Sequence, residues 1–446
     1  MIFNTNPPVV QVKFIFSRYD DIALKHNSAE VNTMKDARMN KRRSIAVITA
    51  LVMALAGCGA AKTDSTAESA VPTATASTTV TETASVTTQT TAATDSEEFT
   101  ERDLNQTPDL SEATYLTVAD GQDISITEEG IYVLSGSASE VTVTVDAADD
   151  AKVQIVLDGV SITNKDFPTI YVKNADKVFV TTTDSENVLS VTGTFTEDGE
   201  TGTDGVIFSK DDIVLNGVGT LTISSTENGV VSKDDLKITG GTYYVTAASK
   251  AFEANDSIMI ADGTFTITAG SDAFHAENDD DNTQGAILIE GGTFNINVED
   301  DAIHGQTTVT INGGTFDITA GEGIESTQVE INGGTLTINA TDDGINAGAK
   351  STAYDVSLTI NDGTLSITMA SGDTDAIDSN GSITINGGTI NISAQSAFDY
   401  DGVGTYNGGT IIINGETVNS LSNQMIGGGM NNGRRMGNEP MNGGFR

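Results

Sequence analysis

The chain is 446 residues long and carries 63 Asp and Glu against 22 Lys and Arg, with 46 Gly, no Trp and a single Cys. A formal net charge of −41 repels phosphate backbones and so excludes nucleic acid as a partner, while one cysteine excludes an internal disulfide framework. Residues 1–57 hold 8 Lys/Arg and 4 Asp/Glu, which leaves 14 basic and 59 acidic residues, a net −45, for the remainder.

The first informative segment is 39–57. Lys41, Arg42 and Arg43 precede an apolar run from Ile45 to Ala56, and Leu55-Ala56-Gly57-Cys58 closes it. The run is too short for a comfortable membrane span and reads as a cleaved signal peptide. The closing box resembles that of bacterial lipoproteins, which implies a lipid on Cys58 and a place on the outer face of the cell membrane, with membrane contact through that anchor only. Residues 1–38 do not fit ahead of a signal and read as a spurious upstream extension, with translation starting at Met39 or Met34.

From 58 to 108 the chain is dominated by Thr, Ser, Ala and Glu. So few large apolar residues cannot offset the entropy of ordering, and a disordered tether is predicted. Residues 421–446, rich in Gly, Met and Asn, read as a flexible tail. The interval 109–420 remains as one domain.

Within it the phrase Ile-Asn-Gly-Gly-Thr-apolar-x-Ile recurs at Ile311–Ile318, Ile331–Ile338 and Ile385–Ile392, with looser copies around Thr220, Thr242, Thr264, Thr293, Thr364 and Thr410. Successive threonines are 22, 22, 29, 22, 20, 29, 25 and 21 residues apart. A base period near 21 with insertions predicts a stacked repeat. Apolar residues alternate inside each copy and fall in columns of Ile, Val, Phe and Leu, as a buried parallel sheet demands. Three strand-turn units per repeat predict an all-β parallel β-helix with coils of about 21 residues. Gly-Gly supplies corners with positive φ, and the preceding Asn is expected to tolerate a left-handed backbone. Asn312, Asn332, Asn361, Asn386 and Asn407 share that corner and are placed to hydrogen-bond as a ladder. Ile124 to Leu134 is expected to cap the open N-terminal end.

The third segment of each repeat carries the charge. Aligned on Ala273-Phe274, Ala302-Ile303, Gly323-Ile324, Gly344-Ile345 and Ala376-Ile377, the preceding column reads Asp272, Asp301, Glu322, Asp343, Asp375, with Asp300 and Asp342 one position earlier. The same column holds Lys250 before Asp272 and Ser396 after Asp375. Carboxylates one coil apart repel by roughly 1 kcal/mol per neighbouring pair in water and about 3.5 kcal/mol at an effective dielectric of 20. Full solvation on an exposed turn tolerates this, and so does a row of hard cations, for which calcium is the natural ion. Asp272, Asp300, Asp301, Asp342, Asp343 and Asp375 are the predicted ligands. The column after the apolar residue reads Glu253, His275, His304, Glu325, Asn346, Asp378, Asp399. Its two histidines are too few for zinc without neighbouring carboxylates, and such a pair more often lines a polar turn.

Longer phrases carry a family resemblance: Val156-Leu157-Asp158-Gly159-Val160-Ser161-Ile162-Thr163-Asn164, Ile170 to Val178, Ile207-Phe208-Ser209-Lys210-Asp211-Asp212, and Val231 to Thr242. Over Thr114 to Asn419 the chain resembles a bacterial family of secreted carbohydrate-binding β-helix domains. The resemblance implies a right-handed parallel β-helix similar to polysaccharide lyases, and binding of calcium and of plant cell-wall polymers such as cellulose and polygalacturonate. Lys250-Ala251-Phe252 and Gly321-Glu322-Gly323 depart from the family's usual Asp-Gly or Asp-Asp before the apolar residue.

Three uses follow. A binder of anionic or cellulosic polysaccharide fits best, because calcium bridges let a strongly acidic protein hold a carboxylated glycan. With no Trp, an aromatic platform rests on Tyr243, Tyr244, Tyr354 and Tyr400, of which Tyr243 aligns with core Phe265. A lyase needs a base beside the cation, yet Lys210, Lys233 and Lys250 read as neutralisers of the acidic row, so no residue is assigned to catalysis. A surface stalk or adhesin without sugar specificity is the third reading.

Overall fold

The computed structural model describes residues 98–423, apart from 200 and 373. The chain divides into two units, Met1–Thr88 and Gln89–Arg446, and every described residue belongs to the second. The extension, the signal segment with Cys58, most of the tether and nearly all of the tail lie outside the described residues.

Among the described residues there are 34 strands and no helix. From Ile170 onward the strands repeat in threes, and outside the fused strands and the last hairpin each pairs in parallel with its counterpart three strands later. Thr242–Ala247 pairs with Thr264–Ala269, which pairs in turn with Thr293–Val298. A set of three consecutive strands is a rung. In two rungs the first and second strands fuse, as Asp301–Ile311 and Glu322–Ile331.

The register explains the columns seen in the sequence. Phe265, Phe294, Phe316, Leu336, Leu365 and Ile390 are successive partners, and all are buried. Side chains alternate across a strand, so Thr, Asn and Asp between them face out. The rings of Phe265, Phe294 and Phe316 stack at 4.8 and 4.4 Å, and Phe252 and Phe274 form a second stack at 5.1 Å. The two stacks meet edge to face, as Phe265 meets Phe274 at 5.6 Å.

At the corners the second glycine takes the positive φ, for example +104° at Gly314, where a Cβ would lie 3.0 Å from the Phe316 ring. The preceding corner asparagines do not themselves adopt the left-handed backbone they were expected to tolerate; Asn414, which does, lies outside the Gly-Gly corners. Their amides instead form the anticipated ladder. Asn332 donates to Asn312 at 2.9 Å, Asn361 to Asn332 at 2.6 Å, Asn386 to Asn361 at 2.7 Å and Asn407 to Asn386 at 2.7 Å.

Ile124 to Leu134 is not a cap. Ile124–Ile126 pairs in parallel with Val143–Asp146, and Gly130–Ser139 lies in parallel between Thr114–Thr117 and Lys152–Asn164. At the other end Asn414-Gly415, both with positive φ, turn Glu416–Val418 back antiparallel onto Thr410–Ile413. An Asn-Gly hairpin thus occupies the last strand edge, which would otherwise be open to pairing.

Residues 98–106, read from composition as tether, dock on the outer side of the second strands. Asn216 donates to the carbonyl of Asp103 at 3.1 Å, Gly217 N–H donates to Gln106 at 2.7 Å, and Arg102 lies 4.4 Å over the Phe179 ring. Asp103 is fully buried between Lys177 and Lys237, at 3.7 and 3.8 Å. Gln154 donates to Thr181 and Thr181 to Asn216, which orients the Asn216 amide toward the segment, and Thr239 accepts from Gln106 at 3.2 Å.

Phe294 touches three rings at once, so Phe294→Ala should remove about 3–5 kcal/mol of stability, the usual toll of a large-to-small change in a packed core. Denaturant unfolding of the variant beside the parent checks this, and a loss under about 1 kcal/mol would mean the stack is not a packed core.

Candidate functional site

The first strand of each rung presents one apolar residue inward and polar residues on either side of it. Register and ladder bonds place Lys250, Asp272, Asp301, Glu322, Asp343, Asp375 and Ser396 in one file. Asp301 is the partner of Glu322, and Asp375 of Ser396. The links between are N–H bonds from Ala251 to Asp272, Ala273 to Asp301, Gly323 to Asp343 and Gly344 to Asp375 carbonyls. The second file, Glu253, His275, His304, Glu325, Asn346, Asp378, Asp399, is continuous by register throughout.

The six predicted ligands therefore share a face, and they fall in two groups. Carboxylate oxygens of Asp272, Asp300 and Asp301 lie within 4.8 Å of one another. Asp342, Asp343 and Asp375 continue the file beyond Glu322 without forming such a convergent trio, and the N–H of Asp375 donates to Asp343 Oδ1 at 2.9 Å.

The two groups differ in how their charge is met. In the first, His275 Nδ1 lies 2.7 Å from Asp272, and His304 Nδ1 lies 2.7 Å from Asp301 and 3.0 Å from Glu325. Lys350 reaches Glu325 at 2.5 Å, and Glu253 is held by Lys233 at 3.2 Å and Lys250 at 3.4 Å. Burial raises Glu325, but the bonds from His304 and Lys350 outweigh it and hold the carboxyl down at about 2. Burial lowers His304, and the bonds from Asp301 and Glu325 more than reverse this, to about 10.

Beyond Glu325 no ion pair reaches Glu322, Asp343 or Asp378 among the described residues. Burial, with the charges of Glu325 and Asp301, pushes Glu322 up to about 8. Burial with Asp342 and Asp375 puts Asp343 at about 6, and burial with Asp343 and Asp399 puts Asp378 at about 7. The Asn346 amide donates to Glu322 and Glu325 at 3.1 and 3.2 Å, while its Oδ1 is enclosed without a hydrogen-bond partner.

Sequence alignment placed both files but not the pairing between them, because an Asp and a His three residues apart on a strand carry no fixed geometry. It also missed Asp212, Asp234 and Asp235, whose carboxylates lie within 4.8 Å of one another. Burial, then Asp212 and Asp256, raises Asp234 to about 7. The repeated Ser-Lys-Asp-Asp phrase was the available signal. Of the tyrosines, Tyr243 is buried as expected, Tyr244 and Tyr354 are exposed, and Tyr400 is half-buried.

The family model of carbohydrate-binding domain-containing proteins matches residues 120–399 and again 326–430. A carbohydrate-binding domain-containing protein of Acetivibrio thermocellus is 36% identical over 130 residues, which is 28% of this chain and 46% of the relative, so the chain spans less than half of that protein's length. A solved structure of a polysaccharide lyase-like protein from C. thermocellum, a gadolinium derivative, is 25% identical with a TM-score of 0.39, over 66% of this chain and 98% of the other. With the family model covering well over half of its residues, the chain belongs to the family of carbohydrate-binding domain-containing proteins.

Proposed function

We propose that this chain is a right-handed parallel β-helix that binds cell-wall polysaccharide of the polygalacturonate or cellulose type through calcium held on its acidic file. We further propose that it works at the outer face of a cell membrane, anchored by lipid on Cys58. The three-strand period of parallel pairings supports the winding.

The observation that carries the glycan reading is the charge state of the file. Its run from Glu322 to Asp378 crowds carboxylates at one-strand spacing, and among the described residues no ion pair reaches Glu322, Asp343 or Asp378. The donors suit calcium, which takes charged and neutral hard oxygens together. Asp272, Asp300 and Asp301 offer a convergent trio, and Asp342, Asp343 and Asp375 are further oxygen donors along the same file. Calcium there supplies the positive charge the chain lacks, and a sugar carboxylate completes its shell. Lys233 and Lys250 are both tied to Glu253, which supports a neutralising part for them rather than that of a base.

Polygalacturonate retention in calcium, compared with retention in chelator, tests the bridge. Asp343→Asn with Asp378→Asn should weaken calcium-dependent binding by about tenfold, near 1.4 kcal/mol. Binding that survives chelation sinks the bridge, and ultraviolet-absorbing unsaturated products would instead make the protein a lyase.

Stability offers a second check. Glu322, Asp343, Asp378 and His304 all have folded pKa values raised above the unfolded ones. Each contributes stability that is complete at low pH and is lost as pH rises through its folded value. The depressed carboxyl of Glu325 acts only below the unfolded carboxylate range. Without calcium, Tm should therefore fall from about pH 5 to about pH 8, and saturating calcium should flatten that fall. A Tm that rises over this interval in chelator would contradict the raised carboxyls.

A further inference from the structure

His275 and His304 stack with ring centroids 4.6 Å apart and planes 14° from parallel. Each Nδ1 is tied at 2.7 Å to a buried aspartate of its own strand, Asp272 or Asp301. Equivalent anchors on stacked rings leave the two Nε2 atoms side by side on the edge away from the aspartates. His275 Nε2 there lies 3.2 Å from Glu277 Oε2, and ligand atoms of His275, Glu277 and His304 all lie within 4.8 Å of one another.

We propose that His275, His304 and Glu277 form a site for a first-row transition-metal dication, with zinc the best match, on the edge of the rings away from the calcium trio, with Asp272 and Asp301 of that trio as the carboxylates that support the histidines. Two imidazoles and one carboxylate are the donor set of open three-ligand zinc sites, and hard-oxygen calcium has no use for imidazole nitrogen. A histidine whose far nitrogen is fixed by a carboxylate is the usual support of a metal-bound imidazole, since it sets both ring orientation and basicity. Both histidines have that support. Zinc at about 2.0–2.1 Å from each nitrogen needs the two Nε2 atoms roughly 3.3 Å apart in a tetrahedral shell. The imidazoles reach this by tilting their outer edges together, while the ion takes the place of the Nε2 proton of His304.

The surroundings leave a position for a fourth ligand. His275 and Glu277 line a pocket of about 240 Å³ with Asp279 and Asp280, and its two lysines, Lys233 and Lys250, are held by Glu253, so water or a ligand oxygen has access to the ion. Glu277 is the first residue between Phe274–Ala276 and Ala286–Ile289, the position that Asn255 fills one rung earlier, and the lengthened segment follows it. This set does not depend on glycan binding.

Metal-stripped full chain, titrated with Zn²⁺ in saturating calcium so that the carboxylate sites are blocked, should take up one ion per chain by calorimetry. His275→Ala and His304→Ala should abolish that uptake, and Glu277→Gln, a change at an exposed side chain, should weaken it without touching the fold. Asp272→Asn should weaken it roughly 10- to 100-fold through loss of the supporting carboxylate. The chain has three histidines, and His26 is kept in every variant. In the unaltered protein Co²⁺ should shift the ring protons of His275 and His304, a readout that needs no variant. No zinc uptake by the folded protein, uptake unchanged in the double histidine variant, or cobalt shifts confined to His26 would each overturn the site. Polysaccharide retention in calcium is expected to be the same with and without zinc, which keeps this test apart from that of the glycan reading.

Discussion

Parallel, in-register stacking sets every side chain against its own column-mate one strand spacing away, about 4.8 Å. That constraint rewards some residue types and penalises others. Phenylalanines gain ring contacts at 4.4 and 4.8 Å, and asparagines gain amide bonds at 2.6 to 2.9 Å. Each repetition adds a favourable contact, so these columns run unbroken over many rungs. A column of carboxylates behaves in the opposite way, because each repetition adds repulsion. An acidic file in such a sheet therefore needs compensation from outside the column or from interruptions within it.

Both devices are present in the first half of the file. Lys250 interrupts the acidic column, and His275 and His304 interrupt the neighbouring one. The interruptions alternate with acids so that Glu253, Asp272, Asp301 and Glu325 each find a cationic or imidazole partner. In the second half Glu322, Asp343 and Asp378 have no ion pair among the described residues, and burial there leaves them with raised pKa values. One face thus carries two chemistries, a neutralised segment and a segment short of positive charge. A polyanion is repelled by the second unless a cation comes with it, which is why the glycan and the ion belong to one proposal.

Much of this was legible in the primary structure because the repeat turns sequence spacing into spatial columns. Once Ala273-Phe274 aligns with Ala302-Ile303, the neighbours of Asp272 and His275 follow without further assumption. The Asn ladder and the burial of Tyr243 followed the same way. What escaped lies where column logic stops. The left-handed backbone sits on the second corner glycine rather than on Asn312 or Asn332, since a ladder amide already fixes the asparagine. Residues 98–106 look like tether by composition, and they dock because Asp103, Arg102 and Gln106 find charge and hydrogen-bond partners on rungs far along the chain, at Lys177, Phe179, Asn216 and Gly217. No periodicity encodes such a contact. The Asp272–His275 and Asp301–His304 bonds escaped too, being set by rotamers rather than by register.

The insertions complete the site in a way that neither column shows. Two of them leave the rungs at equivalent points, after Phe274–Ala276 and after Ile345–Ala347, and the two rungs between them have fused strands with no loop at all. The loops bridge that gap and meet. Asn282 donates to Thr352 at 2.8 Å, and Ser351 donates to the Asn282 carbonyl at 2.5 Å. Gln306 and Thr327 of the fused rungs bind them from beneath, through the N–H groups of Asn278 and Ser351. Each loop also delivers a charged residue to the second file, Glu277 to His275 and Lys350 to Glu325. The irregular steps of 29 residues among steps near 21 thus mark where the repeat is lengthened to bring in charges that the columns cannot provide themselves.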